Sequence, residues 1–304
     1  MTPEQVVGVE VPASSANLGP GFDAFAVALD CTLTVRTSDR GDQRVRNEGH
    51  GAGELPTGDD NLVWRGFVAY CERFDVAAPD ISLQVRSDIP LERGLGSSAA
   101  AAVAGVALGR AVTRAGGRDS DLIELAAGLE GHADNAAAAV LGGLVIWAGG
   151  RARRLQPTPA LRPVLCVPVA RQSTEAARRI LPAQVPLGVA AANGARAAVV
   201  LAGLSGGMAW DPATMTDELH EPARLAAMPG SGALVGALRE AGIGACLSGA
   251  GPSVLAIVAS VDDAAVAAVR DLAGDAFEVR PLRWNLAGAA VCPATVLPSP
   301  SLPA

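Results

Sequence analysis

The sequence contains no lysine; its 24 positive charges are all arginine. Without a side-chain amine no Schiff base can form, which excludes pyridoxal-phosphate and lysine-type aldolase chemistry. The Walker P-loop is excluded too, because its lysine has no candidate. The arginine bias, with the richness in Ala and Gly, fits a GC-rich genome. Cysteines number five, an odd count with no CxxC pair, and histidines only three: His50, His132 and His220. No Cys/His zinc cluster emerges, and the cysteines read as buried thiols of a reducing cytoplasm. The sequence also lacks a long uninterrupted apolar run. Its longest uncharged stretch, Ala241 to Val261, holds four glycines and Pro252, and reads as two strands around a turn rather than a membrane span. The first residues, MTPEQVVGVEVP, carry acid and lack the apolar core of a signal peptide.

What is present is a chain of 304 residues, half of them hydrophobic and 18% charged, with a net charge of −7. The isoelectric point is near 5.0. Such a chain builds a large core and is not disordered. Its acidity argues against a nucleic-acid partner, though not against a small basic pocket for an anion.

Read for pattern, the chain alternates strands and helices without a long series of βαβ repeats, which points to an α+β fold. Strands are expected at Val6–Val11, Ala28–Thr37, Ile81–Val85, Leu144–Trp147, Val164–Val169, Ala245–Leu247, Val254–Ala259 and Ala276–Pro281. Helices are expected at Asn61–Arg73, Ser97–Arg114, Ser120–Leu129 capped by Ser120, and a following alanine run capped by Asp134 or Asn135. Further helices are expected around 173–181, 188–204, 231–241 and 262–272. A small-residue turn follows Val11, and 39–60 reads as a hairpin and loop. Residues 151–163, with three prolines and four arginines, mark a boundary. The expected division is 1–160, 161–292, and a disordered Pro/Ser-rich tail, 293–304.

The segment from Ile89 to Ala100 (IPLERGLGSSAA) leads from a strand through a glycine-rich turn into a long helix. A helix N-terminus presents unpaired N–H groups and partial positive charge, and glycines let that backbone approach a phosphate closely. This cradle needs no lysine. The hydroxyls of Ser97 and Ser98 add ligands for phosphate oxygens or Mg²⁺. Two other readings are open: a tightly packed alanine helix, and a dinucleotide fingerprint in Gly94-x-Gly96-x-x-Ala99, with Asp119 as its ribose acid.

Three further stretches carry polar groups among small residues. From Pro12 to Asp23 (PASSANLGPGFD), Asn17 and Asp23 offer an amide and a carboxylate, or the run is simply an extended turn. From Glu124 to Asn135 (ELAAGLEGHADN), carboxylates suit Mg²⁺, or serve as helix caps. Leu247 to Ser253 (LSGAGPS) is a second glycine-rich turn but not a hydrolase elbow, because Cys246 and Ala250 stand where its glycines belong.

Together these segments resemble the GHMP kinase superfamily, and within it the homoserine kinase family. The blocks Val11–Asp23, Pro90–Ala100, Glu130–Asn135, Ser173–Arg178, His220–Arg224 and Leu247–Ser253 fall in the family's order. The resemblance implies ATP-dependent phosphorylation of L-homoserine to O-phosphohomoserine in threonine biosynthesis. It implies a ribosomal-S5-domain-2-like N-terminal domain and a ferredoxin-like C-terminal domain, with the site between them. Carried over by position, the nucleotide site comprises Asn61 for the base and Pro90, Leu91, Glu92, Arg93, Gly94, Leu95, Gly96, Ser97, Ser98, Ala99 and Ala100 around the phosphates. Ser98 and Glu124 would hold Mg²⁺. Asn17, Asp23, His132, Asn135, Arg178 and Arg224 would bind homoserine, the arginines matching its carboxylate. Asp134 would accept the hydroxyl proton, and Arg178 would share in catalysis. A cytoplasmic enzyme with no nucleic-acid or membrane partner is expected, and the resemblance is to a family whose members are often homodimers. Three positions depart from the pattern: Ala26 for a glycine, Ala133 for a proline and Ala223 for a tyrosine. The competing functions are another small-molecule GHMP kinase and an inactive ligand-binding relative.

Overall fold

The computed structural model describes residues 6–292. Two sheets divide the strands. The first joins β1 (Gly8–Ala16), β2 (Phe25–Ser38), β3 (Val45–Gly49), β4 (Ser82–Ser87), β5 (Leu144–Ala148), β6 (Arg151–Leu155) and β11 (Ala290–Cys292). Its order is β11-β1-β2-β4-β3, with β5 and β6 extending from β2. Helices α1 (Leu62–Arg73), α2 (Ser97–Thr113), α3 (Asp119–Glu130) and α4 (Ala133–Leu141) pack together beside it, α2 and α4 directly on β1 and β2. The alanines and glycines of α2 and α4 are almost all buried, which lets the helices approach each other closely.

The second sheet is antiparallel, in the order β10-β7-β9-β8, formed by β7 (Leu161–Pro168), β8 (Gly244–Leu247), β9 (Val254–Ala259) and β10 (Phe277–Pro281). Between β7 and β8 lie α5 (Thr174–Arg179), α6 (Leu187–Leu204), α7 (Glu221–Ala227) and α8 (Pro229–Glu240); α9 (Asp263–Ala273) precedes β10. The α+β class and the two-part GHMP architecture are those expected, and the strand order is that of a ferredoxin-like unit.

Several boundaries differ from the sequence reading, each for a local reason. Strand β1 does not stop at Val11; it runs to Ala16, paired with β2 through a register shift at Pro12/Ala13. Residues 39–60 form no hairpin, because β3 crosses to pair in parallel with β4. The arginine-rich 151–155 is strand β6, whose charged side chains are exposed on the sheet edge. Helix α3 is capped by Arg118 rather than Ser120, and α4 by His132 rather than Asp134 or Asn135, which lie in its first turn. The second unit does not extend to residue 292. Leu282 is still bonded to β7 through Pro163 O, and from Arg283 the chain returns to the first: Asp30 N–H donates to Arg283 O and Asn285 N–H to Ala28 O, each at 3.0 Å, and β11 pairs with β1. The tail expected at 293–304 lies outside the described residues.

Helix α6 is long and apolar enough to span a membrane by length and composition, at 18 residues and mean hydropathy 1.5. Polar contacts tie it to its neighbours: Asn193 Nδ2 donates to Pro20 O at 2.9 Å, and Arg196 pairs with Glu218.

Candidate active site

The glycine-rich loop expected to bind phosphate lies where the two units meet. Glu92, Gly94 and Gly96 all have positive φ, +55°, +70° and +62°. A Cβ on Gly94 would fall 2.0 Å from Ser248 O, and one on Gly96 would fall 2.2 Å from Ser14 Oγ. No larger residue fits at either position. Gly96 caps α2 with no side-chain hydrogen bond, so the first N–H groups of this 17-residue helix are left for a ligand. The glycine-rich turn at 247–253 backs the loop: Ser248 Oγ donates to Gly94 O at 2.8 Å.

Two cavities open on this loop. The larger, about 420 Å³, is bounded by Asn47, Asn61, Leu55, Pro56, Val85 and the start of α2. The smaller, about 70 Å³, collects Asn17, Asp23, Glu130, His132, Asp134, Asn135, Thr174, Arg178 and Arg224. Glu92, Ser97 and Ser98 line both, which places the N-terminus of α2 at their junction.

The smaller cavity is strongly polarised. Arg178 Nη2 donates to both Asp23 oxygens at 2.8 Å. Arg224 is buried; its Nη1 donates to His220 Nδ1 at 3.1 Å, and its Nε donates to Ala177 O at 3.3 Å. Because arginine only donates, His220 Nδ1 is unprotonated and its proton sits on Nε2, which donates to Gly19 O at 3.0 Å. Burial also lowers the His220 pKa, keeping the ring neutral. Asp217 Oδ1 accepts the N–H groups of Leu219, His220 and Glu221, fixing the start of α7 and so the direction of Arg224. Phe22 lies between the arginines, 5.8 Å from the Arg178 guanidinium and 5.5 Å from that of Arg224. Both positive charges therefore face the cavity on a fixed platform.

On the opposite wall, Ser98 Oγ donates to Glu130 Oε1 at 2.8 Å, and His132 Nδ1–H donates to the same oxygen at 2.9 Å. That bond raises the His132 pKa. Asp134 is buried, and burial pushes its carboxyl up to about 6. Asn135 Oδ1 accepts from Ser14 Oγ at 2.8 Å. Asn17, at φ +70°, donates from Nδ2 to Gly249 O at 2.8 Å and accepts from Asp23 N–H at 3.1 Å. It shapes the loop that presents Asp23.

Most of the expected site residues converge on these cavities, with four differences. Glu124 is exposed on α3 and lines neither cavity; Glu130 is the carboxylate beside Ser98. Ala99 and Ala100 are buried in α2, where the Ala100 N–H is bonded to Gly96 O. Arg93 lines the smaller cavity, but its guanidinium is taken up by main-chain oxygens: its Nε donates to Pro168 O at 2.7 Å, with Leu91 O and Val169 O as further acceptors. Pro90 lines a separate hollow between the units. Asn61 does line the larger cavity, but its amide also caps α1, accepting from Val63 N–H and donating to Pro56 O. Glu130, Thr174 and Phe22 were not assigned from the sequence. Phe22 sits inside the first block and Glu130 opens the third, so both lay within segments already singled out.

The family descriptions "GHMP kinases N terminal domain" and "GHMP kinases C terminal" match residues 61–143 and 197–273. A homoserine kinase of Streptomyces avermitilis is 40% identical over 94% of this chain and 96% of its own length. Another, from Mycolicibacterium smegmatis, is 44% identical over 82% of this chain and 84% of its own. Among solved structures, homoserine kinase from Cytophaga hutchinsonii superposes with a TM-score of 0.80 at 28% identity, covering 95% of this chain and 98% of that one.

Proposed function

The chain belongs to the homoserine kinase family of the GHMP kinases, and on that premise we propose how it transfers the γ-phosphoryl group of ATP to the hydroxyl of L-homoserine. The observation that carries the reading is the junction: Ser97 and Ser98, at the open start of α2, line both the large cavity and the small polar one. The large cavity takes the nucleoside, with Asn61 and Asn47 at its base-binding end. The small one takes the acceptor. The triphosphate lies across the α2 N-terminus, whose N–H groups and dipole stabilise charge on the transferring group.

L-Homoserine is a zwitterion, and the small cavity offers both complements. Asp23 receives the ammonium, and Arg178 and Arg224 receive the carboxylate. Asp23 and Arg178 neutralise one another, so a zwitterion bound between them replaces one ion pair with two. Asn17, His132 and Asn135 complete the lining. The acceptor oxygen then attacks the γ-phosphorus, the bond to the β-phosphate oxygen breaks, and ADP leaves. Asp134, with its raised pKa, takes the hydroxyl proton. Arg178 also neutralises charge near the transferring group.

Mg²⁺ fits Ser98 and Glu130, an oxygen pair beside the phosphate cradle of the kind that binds this ion together with substrate phosphates. When bound it neutralises phosphate charge. Among the described residues no group of three His, Cys, Asp or Glu forms a self-sufficient metal site, which suits an ion carried in with its nucleotide. The test is the product. Phosphorus NMR of a reaction holding ATP, Mg²⁺ and L-homoserine should show a new phosphate monoester growing in step with ADP. ADP accompanied only by inorganic phosphate would overturn the reading.

A further inference from the structure

We propose that Arg171 is a positioning residue that couples acceptor binding to nucleotide binding. The proposal rests on the homoserine kinase reading of the two cavities.

Four observations support it. Arg171 forms a bidentate pair with Glu54, Nη1 to Oε2 at 2.5 Å and Nη2 to Oε1 at 2.9 Å, joining the second unit to the first. Both residues line the nucleotide cavity. Seven positions later on the same short segment, Arg178 makes the corresponding bridge to Asp23 in the acceptor cavity, with Thr174 beside it. Between the two bridges the segment is bonded to the phosphate loop: Gln172 N–H donates to Glu92 O at 3.0 Å, and Glu92 lines both cavities.

The segment is therefore a strap. One end is fastened at the nucleotide cavity, and the other carries the residues that receive the acceptor. The Glu54–Arg171 fastening is by itself weak, because both side chains are nearly half exposed, at 49% and 45%. A nucleotide that fills the cavity displaces water from the pair and lowers the local dielectric, which strengthens a bidentate charge-assisted bond. The strap is then held before the acceptor arrives, and less ordering remains for Arg178 and Thr174. Linkage makes the effect reciprocal: homoserine tightens nucleotide binding by the same factor.

The experiment is calorimetric titration of L-homoserine into the full-length protein, with and without a non-hydrolysable ATP analogue and Mg²⁺. The readout is the ratio of the two affinities, so a uniform change in nucleotide affinity does not imitate it. In the wild type the analogue should tighten homoserine about fivefold or more. In Glu54→Gln the ratio should fall to about twofold or less, while the melting temperature shifts by no more than about 2 °C. The reciprocal exchange, Glu54→Arg with Arg171→Glu, should restore the ratio; Arg171→Lys, which keeps charge but loses the fork, should retain it only in part. Coupling in Glu54→Gln equal to that of the wild type overturns the proposal alone. A wild type that binds no homoserine overturns the functional reading and the proposal with it.

Discussion

Ser98 Oγ and Glu130 Oε1 are 2.8 Å apart, although 32 positions separate them in sequence. The bond joins the first turn of α2 to the last turn of α3 where the two cavities meet. Glu130→Ala should therefore lower kcat by about 10²-fold or more and raise the Mg²⁺ concentration needed for half-maximal rate. Glu124→Ala, on the exposed side of α3, should stay within about twofold of wild type. Steady-state rates across a Mg²⁺ series separate the two. Equal losses in both variants would remove the assignment of Glu130.

Arg178 and Arg224, proposed to receive the acceptor's carboxylate, should fail differently. Arg178 is half exposed, so Arg178→Ala should raise the KM for homoserine at least tenfold, with little change in melting temperature. Arg224 is buried, and its loss leaves His220 Nδ1 and the Ala177 carbonyl without their donor. Arg224→Ala should cost about 1–3 kcal/mol of stability in addition to homoserine binding. Thermal unfolding read beside KM for each substrate checks both; an Arg224→Ala protein as stable as wild type would contradict the network.

Gly96→Ala places a methyl 2.2 Å from Ser14 Oγ on a backbone at φ +62°. The left-handed conformation alone costs an ordinary residue about 1–2 kcal/mol. The loop must move, and the N–H cradle moves with it. Nucleotide affinity should fall at least tenfold by fluorescence titration. Binding unchanged from wild type would show that the start of α2 does not hold the phosphates.

Asp134 gives a signed pH dependence. Burial raises its carboxyl from 3.8 to about 6, so the folded state holds the proton more tightly than the unfolded chain. The stability this confers is complete below about pH 4 and is lost as pH rises through about 6. Asp134→Asn should accordingly melt higher than wild type at pH 8, with the advantage vanishing near pH 4. Activity should move the other way: kcat rises with pH through about 6 in the wild type, and that rise disappears in the variant, which is slower by about 10²-fold or more. A variant that keeps the wild-type pH profile would exclude Asp134 as the proton acceptor.

Much of this arrangement was legible in the sequence, and the exceptions have physical causes. The turn into α2 was readable because glycines at 94 and 96 followed by two serines and an alanine run mark a helix start; its reading as a phosphate cradle came from the resemblance of the blocks together, since the segment alone left two other readings open. Glu124 and Glu130 were not separable, since composition places both in one stretch. Six residues at 100° each turn them to different sides of α3, and only the burial of Leu122, Ile123 and Ala126 decides which side faces inward. The return of Ala290–Cys292 to β1 left no mark either, because three residues carry no usable periodicity. Arg93 was expected among the phosphate ligands, but its guanidinium is taken up by the carbonyls of Pro168, at the end of β7, and of Val169, 75 and 76 positions away.

The most direct measurement is a coupled ADP-release assay with ATP and Mg²⁺, run against L-homoserine, L-serine, mevalonate, shikimate and galactose. The account predicts turnover with L-homoserine well above every other alcohol, because only an amino acid of that reach engages Asp23, Arg178 and Arg224 while presenting its hydroxyl at Ser97 and Ser98. Faster turnover with mevalonate, shikimate or galactose would contradict it.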